Sequence, residues 1–578
     1  MGSADGGNIA IPGSVIYRPS VNGAGNRSNA WYMDGIIDTD NRGGGWAVPP
    51  IADTIQEFKV QSHNNDAQYG NVLGAVVNIV TKSGTNQFHG SAWDFARNAI
   101  FDARNPFNGF CSPASCPSLA SQLASDVAAG KQTSAGASAI LSGTPVSPLG
   151  YTQNEYGGTF GGPIKRNQTF FFFGYEGWHF AQPQNSFARV PTAAEMGGDF
   201  TGAVSPELVG AVNATKTAIT PNQIFNPFAE TGPNMGVPFY CDTAGNPMPL
   251  LNPGLPFGAR GYGLQGAGGT PCNKIPSALI DQKLANVISA YTAPQLKNCN
   301  FTPNLTFAVD NCLDSRDKTD VANNYDIRID HHFSDRNVVF GRAYMMWDNN
   351  TGIVAGTTSV APSPYHTWNI GGAWDHIFTP NVVLEARGGF NARPVIVNPT
   401  NPQGYNPETQ AGFSNLDVTS GFFLNVGNYI GSANSGIGNV GPQHRANPES
   451  DFSSAVTWSH GTHNIRFGGE YLYENRLETN QYEQFASSAT QTCPTNVSGL
   501  FACGSNQGNG LASMLLDLPS SLTVNVPQYE EVHVRMAPMG FFVQDEWHVR
   551  SNLTISLGLR YDYDPAVTLL VNNGETVN

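Results

Sequence analysis

The chain has 578 residues, 40% hydrophobic and only 13% charged, with a formal net charge of −15. That charge content lies well below the roughly 25% of ordinary soluble domains, and the acidic balance excludes nucleic acid as a partner, because phosphate binding needs a basic face. No apolar run approaches the roughly 20 residues of a transmembrane helix, so a membrane role requires strands whose backbone is satisfied by neighbouring strands.

Residues 1–13 are rich in glycine and alanine and carry no basic-plus-apolar export signal. The expectation is that the native start lies upstream and that the chain is an internal piece. Residues 29–40 (NAWYMDGIIDTD), 55–60 (IQEFKV) and 67–82 (AQYGNVLGAVVNIVTK) read as short strands punctuated by glycine. Gly70, Gly74 and Ala75 allow close backbone approach. Residues 1–82 therefore read as one small compact unit. Asp34, Asp38 and Asp40 stand near Gly43–Gly45 in the manner of a calcium loop, but the terminal Glu of that pattern is missing. A solvated loop is the better reading. Within it, Asp38, Asp40 and Trp46 are the candidates for touching a ligand, since a glycine-rich loop with one aromatic is a common binding arrangement.

Residues 83–578 alternate tight and long connections. Strands are predicted over 87–98, 151–163, 168–181, 323–333, 338–349, 365–378, 382–393, 451–459, 464–476, 532–549 and 553–564. The connections at 163–167, 334–337, 379–381, 460–463 and 550–552 are tight. The others, at about 99–150, 182–322, 350–364, 394–450 and 477–531, are long. Short turns at one end and long loops at the other are the layout of an outer-membrane barrel. A soluble sandwich has no reason to keep its long loops on one edge.

Side chains in a strand alternate between faces. Leu553, Ile555, Leu557, Leu559, Tyr561 and Tyr563 form one apolar face; Thr554, Ser556, Gly558, Arg560 and Asp562 form the other. Residues 464–474 repeat the pattern with Leu472 as the exception on the polar face. Trp374, Phe378, Trp458 and Trp547 fall near strand ends, where interfacial girdles sit. The alternation turns Arg328, Glu385, Arg387, Arg466, Glu470 and Arg560 toward the lumen, where they either line a substrate path or pair with one another and with the preceding unit. Residues 169–180 have aromatics on both faces, and the apolar face of 541–549 includes Asp545, so neither segment can be oriented from sequence. The fold expected is all-β, a transmembrane antiparallel barrel preceded by a small domain. About eleven strands are visible, a partial set where single-chain bacterial barrels have even numbers.

The eight cysteines fall as neighbours: Cys111 and Cys116, Cys241 and Cys272, Cys299 and Cys312, Cys493 and Cys503. All are expected in loops and none in a strand, which suits disulfides in an oxidising compartment. Zinc is weaker, because no CxxC occurs. GYGLQG at 261–266 matches GxGxxG but sits in a Pro/Gly-rich loop with no strand before it. The histidine pairs 331/332 and 460/463 read as turn polarity rather than metal ligands. No HExxH, GxSxG or P-loop occurs, so neither an enzyme nor a cofactor is expected.

Taken as an ordered set, several stretches resemble the TonB-dependent outer-membrane receptors, in particular the Oar-like group. They are the Asp34–Gly35 turn, 55–60, the run 69–82 (with Ala75 where the family has glycine), FHGSAWDFARN at 88–98, EYGGTFGGP at 155–163, IRFGGEY at 465–471 and 541–561. The resemblance implies a plug domain over 1–82 and the first part of a barrel of about 22 strands over 83–578. It also implies localisation in the outer membrane of a Gram-negative-type bacterium, outer-membrane lipid around the wall, and TonB as energy source. The TonB box itself is not in this chain. The cargo implied is a bulky substrate, such as a peptide, a saccharide or a chelate. A passive porin-like channel and a secreted adhesin or carbohydrate-binding protein are the rivals.

Overall fold

The computed structural model describes residues 28–40, 44–62, 66–70, 72–102, 117–128, 150–188, 190–201, 239–248, 270–296, 299–301, 312–351, 362–397, 422–426, 437–438, 443–480, 483–487, 509–524, 532–571 and 575–576, with a few isolated positions besides. Cysteines 111, 116, 493 and 503 and the GYGLQG segment lie outside them.

Two sheets dominate. The first contains β1 (Ala30–Met33), β2 (Ile36–Ile37), β3 (Ile55–Gln61) and β4 (Val76–Thr81), in the order β2-β1-β4-β3. Asp34 and Gly35 join β1 to β2, both at positive φ (53° and 76°), the geometry of a two-residue hairpin for which Asp-Gly is a preferred pair. Strand β4 runs parallel to β1 and antiparallel to β3.

The second sheet is a curved wall. Its long staves are β5 (His89–Asn98), β6 (Thr152–Lys165), β7 (Thr169–Ala188), β8 (Cys312–Ser334), β9 (Asn337–Thr351), β10 (Pro362–Thr379), β11 (Val382–Ala392), β12 (Glu449–His460), β13 (His463–Asn480), β14 (Met539–Arg550) and β15 (Leu553–Tyr563). Each pairs antiparallel with the next along the chain. The wall is not closed: among the described residues no ladder joins β15 to β5, and both staves are exposed along most of their length. The first sheet sits against the concave side, where Met33, Val48, Ile51 and Ile79 form one core with Tyr344 and Met346 of β9.

The convex side carries the apolar alternation. Leu557 and Leu559 are 60% and 71% exposed there. Between them, Gly558 lies on the concave side, where an added Cβ would come within 3.0 Å of Ala67. Two segments that sequence could not orient, and the exception at Leu472, now have physical reasons. In β7, Phe170, Phe172, Trp178 and Phe180 are buried and Phe173 is outward, so the second aromatic row packs inside the wall. Leu472 points inward and covers a core of Ala30, Tyr32, Ile37 and Val76. Asp545 lies on the outer face because His463 of the neighbouring stave meets it, Nδ1 to Oδ2 at 2.8 Å.

Other expectations are corrected. The segment 532–549 is two strands, Val532–Met536 and β14, interrupted at Pro538, which cannot donate to a ladder. The connection expected over 182–322 is shorter at both ends, because β7 runs on to Ala188 and β8 starts at Cys312; their paired ladder extends well beyond the apolar alternation. The long connections also contain helices Pro117–Ala128, Gln282–Leu296 and Gly510–Leu515. The last two help bury Leu284, Val287, Ile288, Leu511, Met514 and Leu515, and the Asp281 amide donates to the Leu515 carbonyl at 2.8 Å. Nor are all cysteines outside strands. Cys241 and Cys272 lie on a two-stranded sheet (Phe239–Cys241 with Thr270–Cys272) and form a disulfide. Cys299 and Cys312 stand on paired strands, Cys299–Phe301 and β8.

The face assignment has a direct consequence. In a lipid bilayer, Leu557→Arg should cost about 2–4 kcal/mol near the midplane, and Ser556→Arg on the other face far less. Equal shifts of the urea-unfolding midpoint in lipid vesicles would contradict the orientation.

Candidate functional site

The union of the inner sheet with the wall is built from side chains. The tight β1–β2 turn presents the Asp34 carboxylate to both neighbours at once. Its Oδ1 accepts from the Thr81 amide at 2.8 Å and from Arg328 Nη1 at 3.0 Å. Its Oδ2 accepts from the Thr81 hydroxyl at 2.8 Å and lies 3.1 Å from Arg342 Nε. Arg342 is fully buried; its Nη2 also donates to Asn369 Oδ1 at 2.7 Å and to the Met33 carbonyl at 3.3 Å. Arg328 is held by Asp330 at 2.9 Å and lies over the Phe340 ring at 4.2 Å. Removing one partner from such a buried cluster leaves an uncompensated charge and costs about 3–5 kcal/mol.

Strand β2 is an edge strand, and wall side chains satisfy it. Asn369 and Asn391 donate to the Ile37 carbonyl at 2.9 and 3.2 Å, and the Ile37 amide donates to Asp451 at 3.4 Å. Next to it, Ile36 fills a socket floored by Gly371 and Gly389, which face each other across β10 and β11. A Cβ at Gly389 would stand 2.1 Å from Ile36 Cγ2, and one at Gly371 2.6 Å from its Cδ1. Full burial of such a side chain is worth about 1.5–3 kcal/mol.

A third contact involves residues 66–70. Gln544 accepts from the Ala67 amide at 2.8 Å, Arg560 Nη1 donates to the Gln68 carbonyl at 2.6 Å, and Arg466 Nε donates to the Gln68 side chain at 3.2 Å. Gly70 leaves room for the Arg560 guanidinium, which an added Cβ would meet at 2.4 Å. Between these contacts lies a polar cavity of about 480 Å³, bordered by Tyr69 and Asn78 on one side and Arg387, Ser454, Arg466 and Glu546 on the other.

The six wall charges singled out from the sequence divide by role. Arg328, Arg466 and Arg560 reach the inner sheet or its 66–70 segment. Glu385 joins Arg466 and Arg387 (2.6 and 3.2 Å), and Glu470 pairs with Arg560 at 3.1 Å. Arg387 also lies under Gly35. Sequence reading missed Arg342, Asn369, Asn391, Asp451 and Gln544. Their staves mix apolar and polar residues on the concave face, because that face packs partly against the inner sheet's core; Tyr344, whose hydroxyl accepts from the Ile51 amide, is the clearest case. The usable signal was the paired glycines of IGGAW and RGGF, where only one glycine of each pair can face inward.

Asp38, Asp40 and Trp46 are placed differently from a solvated loop. Asp38 is fully buried, Asp40 nearly so, and Trp46 packs against Trp31 at a tilt, with ring centroids 4.1 Å apart. Asp38 Oδ1 accepts from the Val48 amide at 3.1 Å and from Asn369 at 2.9 Å. Burial pushes its pKa up to about 7, against the opposing pull of Asn369, Arg342 and Val48. The segment is an internal tie in this conformation and presents neither acid to solvent.

A wall with an apolar outer face, short turns at one end and long loops at the other defines an outer-membrane β-barrel protein. The chain belongs to the outer membrane beta barrel domain family, whose sequence profile matches residues 80–122 and 130–578, and its place is the outer membrane. It is 26% identical over 161 residues to the TonB-dependent transporter Oar of Myxococcus xanthus, a match covering 28% of this chain and 12% of that protein. Among solved structures it is similar to the outer membrane transporter YddB of Escherichia coli (TM-score 0.47, 12% identity, 95% of this chain and 51% of the other). It is also similar to the FrpB iron transporter of Neisseria meningitidis (TM-score 0.39, 11% identity, 95% and 52%). The chain thus spans about half the length of these solved relatives.

Two outcomes test the geometry. Gly389→Ala should lower stability by about 1–3 kcal/mol through overpacking, and in the double variant Ile36→Ala should offset part of that cost. Strict additivity in thermal unfolding would remove the socket. Asp38 in the folded protein holds its proton up to about 7, against 3.8 for the free side chain. Between those values the folded state binds the extra proton, so rising pH weakens the inner sheet, and above about 7 the loss is complete. Asp38→Asn should flatten that dependence, read as amide-exchange protection of residues 30–81 at pH 5 and pH 8 relative to the unsubstituted protein.

Proposed function

We propose that residues 1–82 are the last part of a plug domain, and that residues 83–578 are the first part of the barrel of a TonB-dependent transporter of the Oar-like group. In this reading the whole protein moves a bulky substrate across the outer membrane, with energy supplied from the inner membrane through TonB. The observation that carries it is the seam. The inner sheet has its own ladders, and among the described residues its bonds to the wall all involve a side chain. Such a sheet can leave the wall without breaking any wall ladder. The tether from Thr81 to His89 is short, at most about 30 Å when extended, so a displaced plug stays at the lumen.

The match to the Myxococcus transporter supports the same reading. No covalent chemistry is needed, so the buried arginines and acids serve as fastenings. Deleting residues 30–81 from the full-length protein should turn a closed barrel into an ion-conducting pore in planar bilayers. Background conductance after deletion would refute the gated transporter. Full conductance before deletion would favour the passive channel.

A further inference from the structure

The end of the wall that carries the short turns differs in charge from the rest. Lys165 and Arg166 lie at the β6–β7 turn, Arg336 at β8–β9 and Arg550 at β14–β15, all exposed. None has a carboxylate partner among the described residues, whereas Arg328, Arg342, Arg387, Arg466 and Arg560 on the concave face each have one. The five short turns contain a single acid, Asp335. In a chain with 44 acids against 29 lysines and arginines, this is a local reversal of sign.

The same rim carries imidazoles on the outer face, each set against an aromatic ring. His331 meets Phe333 at 4.3 Å, His376 meets Phe378 at 4.3 Å, His460 meets Trp458 at 5.4 Å, and His463 stacks on Trp547 at 5.5 Å. Neighbouring staves hold three of these rings by Nδ1: Thr169 holds His331 at 2.8 Å, Asn337 holds His376 at 2.7 Å and Asp545 holds His463 at 2.8 Å. The rings are therefore fixed at the level where Trp and Tyr belts meet lipid headgroups.

A partner for this rim must offer apolar matter to the aromatics and an anion to the unpaired cations just beyond them. We propose that the short-turn rim is a binding belt for anionic phospholipids of the inner leaflet. Acyl chains lie along the aromatic residues, and phosphate oxygens accept from Lys165, Arg166, Arg336 and Arg550. The imidazoles fill the gaps between these cations along the arc from β8 to β13.

The test uses the full-length protein purified in neutral detergent, with phosphatidylglycerol or phosphatidylethanolamine added and retained lipid counted by native mass spectrometry. Phosphatidylglycerol should be retained in preference, and the preference should shrink as salt is raised. Each cation near an anionic surface is worth about fivefold, so changing Lys165, Arg166, Arg336 and Arg550 together to Gln should reduce retention at least tenfold. Arg97→Gln, at the opposite end of β5, should leave it unchanged. Equal retention of the two lipids, a preference indifferent to salt, or equal loss in the Arg97 variant would overturn the proposal. The first two are read on the unsubstituted protein and do not depend on the variants folding. Displacement of the lipid by soluble glycerol phosphate would also overturn it, by revealing a site for free phosphate instead.

Discussion

The rest of the structure depends on one carboxylate. Asp34 sits on a two-residue turn that only a few residue pairs can form, and it faces two arginines from adjacent wall staves and the end of its own sheet. None of these charges could be buried alone, because stripping an ion of water costs several kcal/mol that only a well-placed partner returns. Arg342 has no exposure at all, so its position presumes Asp34. The turn, the two staves and the end of β4 are thereby fixed relative to one another. Removing the inner sheet would return both partners to water together, which makes this an attachment that is strong when seated and tolerable when released.

The remaining contacts follow the same design. A backbone ladder between inner sheet and wall would fuse them into one sheet. Instead, amides and carboxylates of the wall satisfy the edge of β2, and glycines leave a socket for Ile36 and clearance for Arg560. Glycine weakens a strand interior, yet here it removes the side chain that would hold the two sheets apart. Among the described residues the wall is joined by its own antiparallel ladders, while the inner sheet supplies the partners for its buried concave-face charges.

The two ends of the wall answer to different surroundings. At the long-loop end, apolar residues of segments far apart in sequence form a separate small core, and the Cys241–Cys272 disulfide closes a short sheet. At the short-turn end the described residues set exposed cations beside imidazoles and aromatic rings. The His463–Asp545 pair shows how an acid is tolerated on an outer face: its partner is one stave away and the pair lies at the rim.

Strict alternation in residues 553–563 and the rhythm of tight and long connections were enough to read the wall, its faces and its turns, because both arise from local backbone geometry. The Asp34–Gly35 turn was named from the family resemblance, and the backbone forms it as a two-residue hairpin. What sequence alone left undecided was everything set by a neighbour distant in the chain. Two aromatic rows in β7 had no orientation until Phe170, Phe172, Trp178 and Phe180 were buried against neighbouring staves, with Ala322 and Tyr151 beside the last two. Leu472 and Asp545 looked like errors of pattern until Tyr32 and His463 stood beside them. Asp38 and Trp46 looked like a solvated loop, although Asn369 and Trp31 bury them. Arg328 could be chosen from its stave, but Arg342 could not, because its own stave places the buried Tyr344 and Met346 on the same inward face. Period and turn chemistry are properties of a segment. Burial and ion pairing are properties of two segments brought together, and only the tertiary structure decides which two.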